Sequence, residues 1–210
     1  MTDTAYLSAG ELIAAFNART LSPVEHLQSL IERIDHLEPT LNAVMDRRFD
    51  EALEEAALSA DRYQRGNPLP LDGVPVAVKE EQPMKGRSWS LGSLAYTEQV
   101  GPFDHPIVER IQQAGGIVHI RTTTPEFCCA PYCHTRLWGI TRNPWNTDQS
   151  PGGSSGGTGA ALAAGYAPIG TGSDIGGSIR IPASLSGVAG FKPPWQRVPA
   201  LPPYNLDQYC

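Results

Sequence analysis

The chain has 210 residues, of which 40% are hydrophobic and 18% charged, so it can bury a substantial core. This composition excludes a disordered or fibrous protein. The net charge of -6 provides no basic field for a phosphate backbone, which argues against nucleic acid as a partner. The first residues lack the basic and then apolar order of a secretory signal, and no apolar run reaches the roughly 20 residues that span a bilayer. We therefore expect a cytoplasmic protein that does not enter the membrane.

Residues 1–70 carry several signals for helices. Ser8 and Glu11 form a capping-box pattern, in which each side chain hydrogen-bonds the backbone of the other residue. Ser22 and Glu25 repeat this pattern, with proline at the first helical position. The helix that follows is predicted to pack one face on a core, because its apolar residues recur at helical spacing. These residues are Val24, Leu27, Leu30, Ile31, Ile34 and Leu37.

A third helix is predicted from Arg48 to Arg65. It ends at Gly66, since glycine readily adopts the left-handed backbone that follows a helix. The residues predicted to face inward are Leu53, Ala56, Ala57 and Ala60.

The chain changes character after Pro68, where a short apolar run over 74–78 leads into Lys79. The branched residues of this run predict a buried strand that ends at Lys79. A helix over Pro106–Gln113 and a second strand over 117–120 are predicted to follow. A strand, a helix and a strand in this order predict a parallel pair with a right-handed crossover.

Three further elements are predicted toward the end of the chain. They are a short alanine-rich helix over 160–164, an extended segment over 168–172 and a helix from about Ser178 to Leu185. All the elements together predict the α/β class, with a mixed, largely buried sheet covered by helices on both faces.

Three cysteines cluster as Cys128, Cys129 and Cys133, followed by His134. A zinc site needs ligands that point to one centre, whereas adjacent Cys128 and Cys129 point to opposite faces if the segment is extended. The chain also has no second pair of cysteines or histidines at zinc-binding spacing. We expect free, mostly buried thiols rather than a metal site, and no cofactor.

Glycine and serine are concentrated in two segments, 151–159 and 172–180. Glycine is tolerated where the backbone takes unusual dihedral angles or where its N–H groups approach a ligand closely, so these segments are either functional or simply flexible loops. A phosphate-binding loop needs a lysine before the final threonine, and none precedes Thr158. The dinucleotide-binding pattern of three spaced glycines is also absent.

Ser154 lies in a Gly-x-Ser-x-Gly pattern that is typical of the nucleophile in α/β-hydrolases. That fold places its histidine after the serine in chain order. All five histidines precede Ser154, so only a histidine beyond the chain could restore this interpretation. They are His26, His36, His105, His119 and His134.

A lysine is an alternative base, and the chain has three: Lys79, Lys85 and Lys192. Lys79 ends the predicted buried strand, at the edge where α/β proteins usually place their sites. Burial there is predicted to lower the pKa of Lys79 and to make a neutral amine accessible near neutral pH. The other interpretation, which spacing by itself favours, is an ion pair with Glu80 or Glu81.

Three segments together identify a relationship to known proteins. They read Gly-Val-Pro-Val-Ala-Val-Lys79-Glu, Pro-Gly-Gly-Ser154-Ser155-Gly-Gly and Gly-Ser-Asp174-Ile-Gly-Gly-Ser178-Ile-Arg180-Ile-Pro-Ala. In residues, order and separation they resemble the amidase signature family, and the similarity extends from the N-terminal helices to about Pro199. The resemblance implies the fold of that family and a Ser-cisSer-Lys triad. In this chain the triad would comprise Ser178 as nucleophile, Ser154 as relay after a non-proline cis peptide, and Lys79 as base.

The resemblance also implies supporting roles for backbone and side chains around the triad. Backbone N–H groups would stabilise the oxyanion of the reaction, and those expected to do so belong to Ile175, Gly176, Gly177 and Ser178. Side chains that would support the loops are Ser155, Asp174 and Arg180.

The chain departs from the family in length, because members usually continue well beyond the glycine-rich segment. We expect one domain truncated at its C-terminus, with a helical lead-in over 1–70, the catalytic motifs over 71–199 and a tail over 200–210. Such a domain would expose a sheet edge or an apolar patch. Gln196 also stands where related sequences tend to have glycine, and it is predicted to strain a turn.

The leading hypothesis is an amidase that hydrolyses the C–N bond of a small, linear amide through an acyl-enzyme on Ser178. One alternative is the amidase-like transamidating subunit that acts on aminoacyl-tRNA, although residues 126–146 look more like general amidases. Another is a catalytically silent module, which the short chain makes plausible. The expected partners are the substrate and either a second copy or a complementing C-terminal segment, with no nucleic acid and no membrane.

Overall fold

A computed structural model of the chain describes residues 4–195 and 197–199. Gln196 and the tail over 200–210, both subjects of sequence predictions, lie outside these residues. The helices are α1 (Ala9–Ala18), α2 (Pro23–Leu41), α3 (Phe49–Arg65), α4 (Pro106–Gln113), α5 (Gly156–Ala163) and α6 (Arg180–Ser186). The strands are β1 (Val44–Arg47), β2 (Pro75–Lys79), β3 (Ile117–Thr122), β4 (His134–Thr135), β5 (Gly139–Ile140) and β6 (Ile169–Gly170).

The first two helices begin at the predicted capping boxes. The Ser8 N–H donates to Glu11 Oε2 over 2.8 Å, and the Glu11 N–H donates back to Ser8 Oγ. Ser22 and Glu25 repeat this arrangement at the start of α2. Because each box satisfies backbone N–H groups that a helix cannot pair internally, both helix starts could be predicted from local sequence. No helix in the described ranges is both long and apolar enough to cross a membrane.

Helix α3 matches its predicted bounds but not its predicted inward face. The structure buries Ala52, Ala56, Ser59 and Tyr63, which follow one another at intervals of three or four residues. Ala57 is exposed, so its predicted inward position was wrong. It lies about 100° around the helix from its buried neighbour in sequence, and only one of the two can face the core.

A four-stranded sheet has the order β1-β3-β2-β6. Strand β2 is parallel to both β3 and β6, and β1 is antiparallel to β3, so the sheet is mixed. Every residue of β2 and β3 is buried. The predicted parallel pair and the predicted fold class are confirmed, whereas β1 was not predicted. In this register Lys79 lies opposite Thr122, at the ends of the two central strands.

Helices cover both faces of the sheet because successive side chains of a strand point to opposite sides. On one face, Val76 and Val118 pack with Val108 of α4. On the other face, Ala77 and Ile120 pack with residues of α2 and α5. Helix α5 thus lies over the strand that ends at Lys79, and the segment before α5 approaches the end of that strand.

The cysteine cluster lies on loops and in a 3-10 turn over Glu126–Cys128. Cys133 is buried, Cys128 is half-buried and Cys129 is exposed, so the prediction of mostly buried thiols was wrong for Cys129. The segment is also not extended, because its turn takes Phe127 and Cys128 into the left-handed region of backbone dihedral angles. In the part of the chain that the structure describes, no three His, Cys, Asp or Glu residues are grouped as metal ligands.

A buried histidine in the central sheet gives the fold a predictable pH dependence. His119 of β3 is fully buried, and its Nε2 lies 2.9 Å from the Tyr166 carbonyl oxygen. Burial lowers the pKa of His119 from 6.5 to about 4. The unfolded chain therefore binds the proton first, and this contribution to stability is complete above pH 6.5 and is lost as the pH falls toward 4. His119→Gln, which keeps a donor for Tyr166, should reduce the loss of unfolding free energy between pH 7.5 and 5 by about 2 kcal/mol.

Urea unfolding of the wild type and the variant at the two pH values measures this effect. His26 is also buried with a pKa of about 4, and Glu38 has a pKa raised to about 6 by burial. Both proteins retain these two groups, so the difference between the two pH dependences reports mainly on His119. Equal losses in the two proteins would contradict the prediction.

Candidate active site

Lys79 is the last residue of β2, and its side chain is fully buried. Its backbone N–H donates to Thr171 Oγ1 over 3.0 Å, which ties the end of the strand to the segment after β6. Its Nζ lies 2.8 Å from Ser154 Oγ, 2.8 Å from Ser173 Oγ and 2.9 Å from Glu81 Oε2. One buried amine therefore joins the loops of both glycine-rich segments to a carboxylate.

The charge of Lys79 differs from the sequence-based prediction. Burial by itself would lower the pKa of Lys79, but the Glu81 carboxylate raises it above the ordinary value. In return, burial would raise the pKa of Glu81, but the Lys79 ammonium holds it below the usual range. The prediction of a lysine neutralised by burial was therefore wrong, and the alternative of an ion pair is present in this structure.

The partner in that pair is Glu81 and not Glu80. Glu80 Oε1 instead accepts the N–H groups of Ser90, over 2.5 Å, and Leu91, over 3.2 Å. Glu80 and Glu81 follow the strand in a turn, which the Gln82 N–H closes on the Lys79 carbonyl oxygen over 3.0 Å, and their carboxylates have different partners. Glu80 thus holds the following loop, and Glu81 belongs to the lysine site.

Ser154 is buried in the loop before α5, and the peptide bond from Gly153 to Ser154 is cis. Its carbonyl oxygen accepts the Thr124 hydroxyl over 3.2 Å. The next turn of chain passes very close to the end of β3, because a Cβ on Gly157 would lie 2.4 Å from Thr123 Oγ1 and 2.5 Å from the Thr123 carbonyl oxygen. Glycine is required there for packing, and this close approach places Ser154 against the end of the sheet.

The segment that precedes Ser178 is organised by one carboxylate. Asp174 Oδ1 accepts the Gly177 N–H over 2.7 Å, and Asp174 Oδ2 accepts the Ile179 N–H over 3.1 Å. Arg180 donates to both oxygens, over 2.8 and 3.0 Å. Burial would raise the pKa of Asp174, but these hydrogen bonds hold it well below its usual range. Asp174 and Arg180 therefore fix the loop that carries Ser178.

The amides predicted to bind an oxyanion divide into two groups. The Gly177 N–H already donates to Asp174, so the structure removes it from the predicted set. Within residues 4–195 and 197–199, the N–H groups of Ile175, Gly176 and Ser178 have no protein acceptor. These three amides remain able to bind a negatively charged oxygen.

Ser178 is half-buried just before α6. Its carbonyl oxygen accepts the Ser155 N–H over 3.1 Å, and the Ser173 N–H lies 3.4 Å from Ser155 Oγ. The structure thus brings the two glycine-rich segments together through the backbone and side chain of Ser155, and Lys79 contacts Ser154 directly. In the described part of the chain, the Ser154 and Ser178 hydroxyls do not hydrogen-bond each other.

Sequence reasoning missed two side chains that contact Lys79. Ser173 lies inside the third family motif, next to Asp174, but nothing in that motif indicates that its side chain contacts Lys79. Glu81 lies in the turn after β2 rather than in an extended chain, so strand spacing could not have selected it over Glu80. Cys128 also interacts with both members of the ion pair, and burial raises the pKa of its thiol to about 12.

A cavity of about 520 Å³ lies beside the ion pair. Glu81, Ser173 and Asp174 are among its polar lining residues, and Ile179 and Phe191 are among its apolar ones. Neither Ser154 nor Ser178 is part of this lining. The cavity therefore opens next to the lysine site on the side of Ser173.

Comparison with known proteins indicates the family to which the chain belongs. The amidase family model matches residues 25–209. Indoleacetamide hydrolase of Bradyrhizobium diazoefficiens is 40% identical over 194 residues, which cover 92% of this chain and 37% of that protein. A component of the glutamyl-tRNA(Gln) amidotransferase of Methylococcus capsulatus is 40% identical over 188 residues, which cover 90% of this chain and 39% of that protein.

Solved structures agree with this result. A bacterial aryl acylamidase of the amidase signature family has a TM-score of 0.89 and 33% identity, covering 94% of this chain and 42% of its own. Fatty acid amide hydrolase has a TM-score of 0.81 and 31% identity, covering 85% of this chain and 32% of its own. The chain thus spans about two fifths of the length of these curated relatives. The family match over most of the chain and the shared fold show that it belongs to the amidase signature family.

Proposed function

We propose that the protein hydrolyses the C–N bond of a small, linear carboxylic amide, with Ser178 as nucleophile and Lys79 as base through Ser154. The observation that carries this proposal is the 2.8 Å hydrogen bond between Lys79 Nζ and the buried Ser154 Oγ. A lysine and a serine in this relation can exchange a proton, as serine-lysine hydrolases require. The backbone contact between Ser155 and Ser178 supports a relay that continues to the nucleophile.

The reaction follows from these residues. The Ser178 oxygen attacks the amide carbonyl while its proton passes to Ser154, and the Ser154 proton passes to a neutral Lys79. The oxyanion that forms accepts hydrogen bonds from the N–H groups of Ile175 and Gly176. The proton then returns through Ser154 to the leaving nitrogen, the C–N bond breaks, and water releases the acid from Ser178.

Amide transfer is a second candidate, since an amide hydrolase and an amidotransferase component match this chain at the same 40% identity. The two candidates differ in substrate. A simple amidase releases ammonia or an amine from a small amide without another protein. Release of ammonia from glutamine only when a partner protein is added would instead favour the transferase.

Covalent labelling tests the proposal. The chain is treated with a fluorophosphonate, which reacts with activated serine hydroxyls, and the modified peptide is identified by mass spectrometry. The expected adduct lies on Ser178. A cooperatively unfolding chain with no adduct would support the catalytically silent module, and an adduct on Ser154 would overturn the assignment of the nucleophile.

Ser154→Ala provides a separate prediction about the relay. Removal of the Ser154 hydroxyl should slow fluorophosphonate labelling of Ser178 by at least about 100-fold, because it interrupts proton transfer to Lys79. The matched control is Ser155→Ala, which removes a neighbouring hydroxyl that does not contact Lys79 and should change the rate less than about tenfold. Equal rates in the two variants would exclude the relay.

A further inference from the structure

Glu81 occupies an unusual place for a carboxylate, next to the amine that the proposed reaction needs in neutral form. Its Oε2 lies 2.9 Å from Lys79 Nζ and 2.5 Å from Ser173 Oγ. Ser173 Oγ in turn lies 2.8 Å from Lys79 Nζ. The three groups form a closed triangle in which the lysine donates to the serine and to the carboxylate, and the serine donates to the carboxylate.

The triangle and Ser154 together provide an acceptor for every proton of the Lys79 ammonium group. An ammonium group has three donors, and Lys79 has three acceptors in Ser154, Ser173 and Glu81. Lys79 can accept a proton only through the lone pair of a neutral amine. This lone pair appears when the ammonium group loses one of its three protons. The resting arrangement therefore favours a charged lysine that cannot accept the Ser154 proton.

Among the residues that the structure describes, Glu81 is the carboxylate that contacts Lys79. The Glu80 carboxylate accepts backbone N–H groups of residues 90–91, and Glu80 also interacts with Arg121. The remaining titratable groups that interact with the pair favour their neutral forms, since burial raises the pKa of the two thiols and lowers that of the imidazole. These groups are Cys128, Cys133 and His105.

We propose that Glu81 is a positioning residue that keeps the proton on Lys79 in the resting site and sets the pH at which Ser178 becomes reactive. This inference rests on the proposed function for its link to Ser178. The lysine becomes a base when it releases one proton to water while the carboxylate stays charged. Removing the carboxylate should therefore move the onset of reactivity to lower pH.

The lysine content of the chain allows a direct measurement. Only three lysines are present, so a protein labelled with ¹³C at lysine Cε has three lysine signals, which Lys85→Arg and Lys192→Arg assign. In Glu81→Gln the midpoint of the Lys79 titration should fall by about one pH unit or more, since a contacting opposite charge typically has an effect of this size. In Glu80→Gln, the matched control, the midpoint should stay at the wild-type pH.

Glu81→Asp supplies a second variant. It keeps the negative charge but shortens the side chain by one methylene, which moves the carboxylate away from Lys79. Its midpoint should lie between those of the wild type and Glu81→Gln. If Glu81→Gln does not fold, as judged by thermal unfolding, a Glu81→Asp midpoint at or above the wild-type value overturns the inference by itself.

The pH profile of fluorophosphonate labelling separates this inference from the function on which it rests. The pH at which the labelling rate is half-maximal should be lower in Glu81→Gln than in the wild type, in parallel with the midpoint of the Lys79 titration. Absence of labelling in the wild type at every pH contradicts the proposed function. A lysine midpoint that does not move in Glu81→Gln contradicts the role of Glu81, whether or not labelling occurs.

Discussion

Replacement of Ser178 by alanine is expected to slow fluorophosphonate labelling of the chain by at least about 10⁴-fold, because no other group can replace a lost nucleophile. The unfolding free energy should change by no more than about 0.5 kcal/mol. In the described part of the chain the Ser178 hydroxyl makes no hydrogen bond, and its contact with the Ser155 N–H uses the backbone carbonyl, which the substitution keeps. Labelling rates and urea unfolding of the same preparation measure both quantities.

Ser184→Ala is the matched control for this experiment. Ser184 is an exposed hydroxyl on α6, six residues after the proposed nucleophile. It should label at the wild-type rate. Labelling of Ser178→Ala at that rate would show that another residue carries the reactive hydroxyl.

Replacement of Lys79 by methionine should affect both chemistry and stability. The variant loses the proposed base, and it leaves the Glu81 carboxylate next to an apolar side chain in a largely buried site. Breaking a buried ion pair by removing one partner typically costs 3 to 5 kcal/mol, so we expect the unfolding free energy to fall by about 3 kcal/mol. Labelling of Ser178 should also be lost. Urea unfolding and the labelling assay measure the two effects.

The double variant Lys79→Met, Glu81→Gln separates these effects. It removes the unpaired charge and should recover most of the lost stability, but it should not recover labelling. Lys85→Met removes an exposed lysine and should change neither quantity. A double variant as unstable as Lys79→Met alone would show that the stability effect does not come from the unpaired carboxylate.

The central part of the fold could be predicted because its signals are local. The apolar run before Lys79, the helix over Pro106–Gln113 and the run that begins at Ile117 each carry their own pattern, and the order of elements implies a parallel pair. Strand β1 has only four residues, which are half-buried or exposed, and it pairs with β3 far along the chain. Neither length nor periodicity marks such a strand in the sequence.

The sequence predicted part of the site, but it predicted neither the contacts of Ser173 and Glu81 with Lys79 nor the charge of the lysine. The motifs contain Lys79 and Ser154, and the structure places these two side chains in contact. The protonation of Lys79, however, depends on the distance from its amine to one of two adjacent glutamates. Burial and ion pairing change the pKa of a lysine in opposite directions, so the sequence by itself could not show which effect is larger.

Asp174 links the rigidity of the loop before Ser178 to the barrier of the proposed reaction. Its carboxylate already holds Gly177, Ile179 and Arg180 in place without a substrate. Dipoles that are oriented before charge develops stabilise that charge without a reorganisation cost. Asp174 therefore has two effects on the predicted oxyanion site. It accepts the Gly177 N–H, and it orients the neighbouring amides of Ile175 and Gly176 in advance.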